Sequence, residues 1–386
     1  NPEYRSRVQK LVQSAFAGKP KDIISQSVAK ALYGEVSPYS ATRLERFAAC
    51  AFAHFLQYGM KLTERVEYEF KPMDMGNVMH EALESFAEEV RKKGMKWTEL
   101  TEQERNEIAD RCLDNIVADY GNTVLKSSAR NEYMIERTRR ILRRTVWALQ
   151  KQLEQGEFQP EGFEVTFGGG RIDRVDIMED QNKVYVKVID YKTGNTSFDL
   201  VYLYHGLQLQ LMIYLDGALR VEQKKYPDKE IIPAGVFYYN IKDPMIQEKI
   251  DADVKAVSAG LMKELKMNGL VQADPELVYR MDSSLGSIPV AFNKDGSFRK
   301  NSSVADRTQF AVLGRYVRTK IEKIRSSILE GDAEVSPYEL GKKNACTYCP
   351  YMTVCGFDRR LSGYEFRRLK NFSDEELWKA FDREAE

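Results

Sequence analysis

The stretch from Arg171 to Gly194, RIDRVDIMEDQNKVYVKVIDYKTG, constrains the fold of this chain more than any other. Apolar and polar residues alternate along both halves, which is typical of two half-buried β-strands. The polar sequence between the halves predicts a hairpin whose turn is centred between Gln181 and Asn182. In that register Val175 lies opposite Val188, so that apolar side chains meet across the strand pair.

The same alternation brings charged residues together on the apolar face. Asp173 lies opposite Asp190, and Lys192 follows on the face of both, whereas Asp176 shares the other face with Arg174. Unpaired charge on a half-buried surface is costly, and a divalent cation would compensate two carboxylates. The pattern therefore predicts a metal site that uses Asp173 rather than Asp176. The alternative is a solvated ion pair at the strand end.

The overall charge excludes a global field that attracts polyanions. The 386 residues include 58 basic and 58 acidic side chains, so any nucleic acid must be bound by local patches. The densest basic patch consists of Arg137, Arg139, Arg140, Arg143 and Arg144. This patch suits a phosphate backbone, or it is a solvated helix face paired with nearby acids.

Hydropathy and the first residue also bear on the class of protein. The sequence has no apolar stretch long enough to cross a membrane and does not open with a signal peptide, so we expect no membrane association. Its first residue is Asn1 rather than Met, which indicates a processed product or a fragment of a longer polypeptide.

Three of the five cysteines are close in sequence near the end of the chain, at Cys346, Cys349 and Cys355. Such spacing predicts a metal or cluster site in a reducing compartment. Cys50 and Cys112 are the candidates for a fourth ligand. Zinc would use three cysteines with a histidine or four cysteines, and a [4Fe–4S] cluster would use four. The spacing alone does not separate these possibilities.

Periodicity predicts mostly helices around the hairpin. The predicted helices cover 1–36, 41–58 after a Ser40 cap, 75–90, at least two within 98–155, 202–219, 253–267, 304–329 and 373–386. The predicted strands outside the hairpin are 64–70, 163–167 and 231–241. His80 lies beside the core stripe of its helix, a position at which histidine is more often structural than a ligand. Gln210 and Tyr214, four residues apart, share a helix face.

These motifs, in this order, resemble a known nuclease family. Ile172-Asp173 followed by Asp190-Tyr191-Lys192 is similar to the PD-(D/E)xK signature in its RecB-type form. Gly76-x-x-x-His80 and the helix from Gln208 to Tyr214 resemble the upstream and downstream motifs of that branch.

The cysteines narrow the resemblance. Cys50 with the distal CxxCx5C is similar to the iron–sulfur variant found in AddB-type helicase–nuclease subunits and Cas4-like exonucleases. Ser40-x-x-x-Leu44-Glu45, Cys355-x-Phe357-Asp358 and the long insertions favour the AddB type. Ala51 departs from that pattern, because the family often has proline after the first cysteine.

The resemblance implies an α/β fold with a restriction-endonuclease-like mixed central sheet, flanking helices, helical insertions and an iron–sulfur clasp. Residues 1–36 would be a helical lead-in that ends an upstream helicase-like region, and residues 37–386 would be the nuclease domain.

The resemblance also implies roles for site residues. His80, Asp173, Asp190 and the Tyr191 carbonyl would bind one or two Mg²⁺ ions, for which Mn²⁺ could substitute. Lys192 would act on the attacking water or on the charge of the transition state. Gln210 and Tyr214 would position Lys192 or the DNA, with Gln208 as the other candidate for the motif glutamine. The iron–sulfur ligands would be Cys50, Cys346, Cys349 and Cys355.

The implied function is a Mg-dependent deoxyribonuclease, specifically an exonuclease, in the cytoplasm. It would cut a single strand or unwound duplex end, produced by a helicase, during double-strand break processing for recombinational repair. The partner would be an AddA-type subunit in a heterodimer. Three alternatives remain, namely a stand-alone Cas4-like exonuclease, an inactive DNA-end-binding scaffold and a zinc-stabilised interaction module.

Overall fold

The structure is a computed structural model that describes residues 2–15, 23–34, 40–64, 72–119, 128–168, 170–247 and 253–385. The described α-helices are α1 (Pro2–Ala15), α2 (Gln26–Tyr33), α3 (Ala41–Ala49), α4 (Ala51–His54), α5 (Pro72–Lys92), α6 (Glu102–Asp119), α7 (Ala129–Leu153), α8 (Leu200–Tyr204), α9 (Gln210–Lys225), α10 (Val254–Glu264), α11 (Pro275–Met281), α12 (Arg307–Glu330), α13 (Met352–Cys355) and α14 (Asp374–Ala385). A π-helical turn, Phe55–Gly59, follows α4, and a 3₁₀ turn, Trp97–Glu99, precedes α6.

The strands form two sheets. They are β1 (Gln159–Phe167), β2 (Gly170–Asp180), β3 (Lys183–Lys192), β4 (Glu230–Asn240), β5 (Asn268–Gln272), β6 (Val304–Ala305), β7 (Tyr338–Leu340), β8 (Lys343–Asn344) and β9 (Arg367–Arg368). The large sheet runs in the order β1-β2-β3-β4-β5-β6, and its β3–β4 and β5–β6 pairs are parallel while its other pairs are antiparallel. The small sheet has the order β8-β7-β9. The predicted mixed central sheet flanked by helices is confirmed.

The hairpin of β2 and β3 has the predicted register. Val175 pairs with Val188, and Asp180 pairs with Lys183 at the turn. Gln181 has a positive φ of 28° in that turn, a backbone region that non-glycine residues seldom adopt. Nearly every residue of β3 is buried, as expected for a strand with neighbours on both sides and helices over the sheet.

The chain divides into two compact units that interleave in sequence. Unit 1 contains Asn1–Arg65, Leu200–Leu209 and Arg315–Glu386. Unit 2 contains Val66–Asp199 and Gln210–Gly314, and therefore holds the whole large sheet. The boundary predicted at residue 36 remains a prediction.

The core of unit 2 lies between α5, α6, α7 and one face of the large sheet. Met79, Leu83 and Phe86 of α5 are completely buried, on the apolar stripe that the sequence predicts. The helix begins at Pro72, earlier than predicted, because proline suits the first turn, where its missing N–H costs no hydrogen bond.

Two predicted helices are interrupted in the structure. Cys50 has extended backbone between α3 and α4, so the predicted 41–58 helix is wrong as a continuous element. The predicted 202–219 helix is likewise two helices, because Gly206 between them has a φ of 78° that an α-helix does not accommodate. Ser40 caps α3 as predicted, and its hydroxyl accepts a bond from the Arg43 N–H. The strand predicted at 64–70 lies almost entirely outside the described residues. Within the described ranges, no helix is both long and apolar enough to traverse a bilayer.

Two asparagines anchor the segment that follows β3. The Asn240 carboxamide accepts from the Thr196 N–H and donates to the Thr196 carbonyl. The Asn268 carboxamide donates to the same carbonyl and accepts from the Phe198 N–H at 2.7 Å. The β4–β5 pairing therefore holds the chain that leaves the end of β3.

Gly269 is required where β5 approaches β4. A Cβ atom on Gly269 would lie 1.9 Å from the Val236 carbonyl oxygen, which is backbone and cannot rotate away. We expect Gly269→Ala to lower the free energy of unfolding by about 1–3 kcal/mol, as overpacking does. Gly168→Ala is the control, because its Cβ would meet nothing within 4 Å. Urea denaturation measures both, and equal stability of the two variants would contradict the packing described.

Candidate active site

The ends of β2 and β3 bring two buried aspartates together. Arg174 pairs with Ile189, so Asp173 and Asp190 occupy the next position of the ladder. The Tyr191 N–H donates to Asp173 Oδ2 at 2.7 Å, which fixes that carboxylate. Burial of Asp190, with the charge of Asp173 nearby, raises the pKa of Asp190 to about 7. The site therefore concentrates negative charge where water is largely excluded.

A histidine and a third acid complete a set of possible metal ligands. One ligand atom each of His80, Glu164 and Asp173 lies within 4.8 Å of the others. His80 Nδ1 is 3.4 Å from Asp173 Oδ2 and 3.8 Å from Glu164 Oε1. Burial lowers the pKa of His80, but hydrogen bonds and charge from the two carboxylates outweigh burial and raise it to about 10. Carboxylate oxygens with one imidazole suit Mg²⁺ or Mn²⁺.

Glu164 is the site residue that the sequence reasoning missed. It lies on β1 between the pairs Phe163–Arg174 and Val165–Ile172, and is therefore opposite Asp173. Its φ is 49°, an uncommon conformation for a residue with a side chain, and strained backbone of this kind clusters at functional sites. Alternation in the sequence FEVTF gave a usable signal, since it puts the glutamate on the opposite face from Phe163 and Val165. The exposed Arg171 also contacts it, with Nε 2.5 Å from Glu164 Oε2.

Lys192 is held by a chain of side-chain contacts. Its Nζ lies 2.5 Å from Asp190 Oδ2 and donates to Gln210 Oε1 at 2.8 Å. Gln210 Nε2 in turn donates to the Tyr214 hydroxyl at 2.9 Å. Gln210 is the first residue of α9, whereas Gln208 precedes that helix. The glutamine that contacts the lysine is therefore Gln210.

The opposite face of the hairpin carries a separate, fully buried ion network. Asp176 accepts from Arg174 at 2.5 and 2.9 Å, and its Oδ2 lies 3.1 Å from Lys187 Nζ. Burial raises the pKa of Asp176, but the two cations outweigh burial and hold it below its ordinary value. Asp176 is therefore committed to these two cations and lies on the side of the sheet away from Asp173.

The two aspartates should respond differently to loss of charge. We expect Asp176→Asn to lower the free energy of unfolding by about 3–5 kcal/mol, because it leaves two buried cations without their counter-ion. Asp173→Asn should leave stability within about 1 kcal/mol, because the amide oxygen still accepts from the Tyr191 N–H. It should however weaken Mn²⁺ binding at least tenfold.

Chemical denaturation in EDTA and calorimetric Mn²⁺ titration separate the two effects. Loss of Mn²⁺ binding in a stable Asp176→Asn variant, with Asp173→Asn unaffected, would reverse the assignment.

Four of the five cysteines line one cavity in unit 1. They are Cys50, Cys346, Cys349 and Cys355. The backbone break at Cys50 brings its thiol into this cavity, and the Phe52 N–H just beyond it donates to the Glu334 carbonyl. Burial raises the pKa of Cys50 and, with the neighbouring thiols, raises the pKa of Cys346 to about 12. Cys112 is buried in the core of unit 2 instead.

The arginine patch on α7 is largely ion-paired. Arg139 contacts Asp114 at 2.7 Å, and Arg143 contacts Asp110. Arg140 and Arg144 both contact Asp243, at 2.5 and 3.8 Å, while Arg137 is exposed. These contacts favour the interpretation as a paired helix face, with aspartates from other elements as the main partners.

Comparison with known families agrees with the site geometry. Residues 38–356 match the profile of the PD-(D/E)XK nuclease superfamily, most of the chain, and the chain therefore belongs to this superfamily. The match contains every residue of the candidate active site.

Whole-chain relatives are more specific. The chain is 42% identical, over 99% of its length, to the AddB subunit of the ATP-dependent helicase/deoxyribonuclease of Lachnoclostridium phytofermentans. It is 34% identical, over 99% and 100% of its length, to the proteins of the same name from Thermoanaerobacter sp. and Alkaliphilus metalliredigens. These alignments cover 35%, 35% and 36% of the relatives, so the chain spans about a third of their length.

Proposed function

We propose that this chain is the nuclease domain of an AddB-type helicase/deoxyribonuclease subunit and that it hydrolyses phosphodiester bonds in DNA with a divalent metal. The observation that carries the proposal is the gathering of His80, Glu164 and Asp173 within 4.8 Å, on the same hairpin end as Lys192. The names of the whole-chain relatives support DNA as the substrate.

Mg²⁺ fits the donor set, and Mn²⁺ fits where the imidazole takes part. His80, Glu164, Asp173 and Asp190 would hold one or two ions together with the Tyr191 carbonyl. When bound, such an ion neutralises charge on the phosphate and lowers the pKa of water. The raised pKa of Asp190 supports the proposal, since a buried acid near another acid is stabilised as an anion by a cation.

Lys192 would carry the remaining chemistry. Its ammonium group points to the carboxylate cluster and is oriented by Gln210, whose amide is oriented by Tyr214. A fixed cation at this place orients the attacking water or stabilises the charge that develops on the phosphate. Gln210 and Tyr214 act as positioning residues in this proposal.

The test of the catalytic centre is loss of Lys192. We expect Lys192→Ala to reduce Mg²⁺-dependent cutting of a labelled single strand by about 10²–10³-fold or more, as removal of a positioned catalytic group does. Lys183→Ala, an exposed lysine of the same strand, is the matched control. Undiminished cutting by a folded Lys192→Ala variant would refute the assignment.

We further propose a [4Fe–4S] cluster bound by Cys50, Cys346, Cys349 and Cys355. Their shared cavity supports a common centre. The sulfurs are absent from the ligand groups, among the described residues, whose atoms lie within 4.8 Å. A tetrahedral zinc with Zn–S bonds of about 2.3 Å would hold its sulfurs about 3.8 Å apart. The wider spacing therefore favours a cluster over a single zinc ion.

Anaerobic purification tests the cluster. We expect brown protein with iron and labile sulfide, and we expect Cys355→Ser to lose the colour and unfold at a lower temperature, because the cluster joins distant parts of the chain. Cys112→Ala should keep the full iron content. Colourless wild-type protein that contains zinc would overturn the cluster proposal.

The wider setting follows from the relatives' names. We propose that the substrate is a single strand or unwound duplex end delivered by an AddA-type partner in a cytoplasmic heterodimer, for recombinational repair of double-strand breaks. Exonuclease action and a phosphate track along Arg137–Arg144 belong to the same proposal, although the aspartate contacts of that helix weaken the track. The stand-alone exonuclease is less favoured, because the whole chain aligns with AddB proteins.

A further inference from the structure

Unit 1 contains a second cavity, here called the basic cavity, that no part of the proposed chemistry uses. Its volume is about 270 Å³, and its cationic wall consists of His205, Lys320, Lys323 and Arg367. Ala51 lines this cavity, whereas Cys50 lines the cysteine cavity, so adjacent residues of one segment face different cavities. A volume of this size exceeds by far the about 10–15 Å³ that one ordered water requires.

Two of these cations are not neutralised by the protein. Among the residues that the structure describes, neither Lys320 nor Arg367 has a carboxylate oxygen within 4.0 Å. Lys320 is half-buried, and its ammonium lies 5.5 and 5.3 Å from the ring centroids of Tyr204 and Tyr316. Arg367 donates one bond, from Nη2 to the Ala48 carbonyl. Burial lowers the pKa of both cations, as expected where an anion would be stabilising.

The cavity is basic at one end only. Asp332 and Glu334 also line it, but they line a neighbouring cavity with Glu330 as well. Lys323 already has a partner, since its Nζ lies 3.5 Å from Glu384. The anion-binding capacity therefore belongs to Lys320 and Arg367.

We propose that the basic cavity binds a backbone phosphate of a DNA strand. Lysine and arginine donate charge-assisted hydrogen bonds to phosphate oxygens, and the bound anion would neutralise two cations that have no ion-pair partner here. The identity of the ligand as DNA rests on the proposed nuclease function. A free nucleotide offers the same phosphate chemistry and is distinguished by experiment.

The test is binding of a fluorescent single-stranded oligonucleotide in EDTA, measured by anisotropy over a range of salt concentrations. Each phosphate contact to a single strand contributes a slope of about 0.7 in log K against log salt. We expect Lys320→Gln/Arg367→Gln to reduce the slope by about 1.4, which corresponds to about 25-fold weaker binding at 0.1 M salt relative to 1 M. Because no cutting is measured, a failed nuclease assay and a failed binding assay are separate results.

The matched control is Lys379→Gln/Arg360→Gln. It removes the same two charges from unit 1, where both side chains are exposed and paired with Glu375 and Asp358. An equal fall in affinity for both double variants, or no fall in either, overturns the proposal.

A second variant avoids loss of the Arg367 bond to Ala48. Ser327 lines the basic cavity from α12, so Ser327→Glu adds a carboxylate without removing a cation. We expect weaker oligonucleotide binding and an unchanged melting temperature, whereas Ser326→Glu on the exposed side of the helix should bind as the wild type does. Equilibrium dialysis with deoxyadenosine monophosphate completes the test. Loss of nucleotide binding with unchanged oligonucleotide binding overturns the assignment to a DNA strand.

Discussion

The antiparallel pairing of β2 with β3 determines where every charge of the candidate active site lies. Side chains alternate between the two faces of a strand, so a slip of one residue would move each acid of one strand to the other face. Val175 opposite Val188 makes such a slip costly, because it would expose the valines. The apolar pairs thus fix the position of Asp173 relative to Asp190, although they take no part in the chemistry.

The two faces of this hairpin treat buried charge in opposite ways. On one face, Asp176 is neutralised within the chain by Arg174 and Lys187, so nothing further is needed. On the other face, three carboxylates share one lysine, one histidine and an exposed arginine. Only the second face retains a capacity for added positive charge. A buried ion pair and a metal site therefore differ here in whether the protein itself supplies the counter-charge.

The parts that the sequence predicted are those governed by local periodicity. The β2–β3 register, the helix that carries His80 and the contact of Gln210 with Tyr214 all follow from spacings of two or four residues. The break at Cys50 could not be read in the same way, because the flanking alanines and phenylalanines favour helix and the deviation depends on a bond to Glu334, distant in sequence. Gly206 gave a local signal that an apolar run obscured. The arginine patch was ambiguous because its aspartate partners lie on other elements.

Unit 1 is assembled from three separated segments, and this has a consequence for the order of events during synthesis. Cys50 leaves the ribosome early, and all of unit 2 is then translated before Cys346 and Cys355 appear. The cysteine cavity therefore cannot exist in a nascent chain that stops short of residue 355. A truncated translation product would carry the complete hairpin with its acids but no closed cysteine cavity, so the state of this cavity distinguishes a finished chain from an interrupted one.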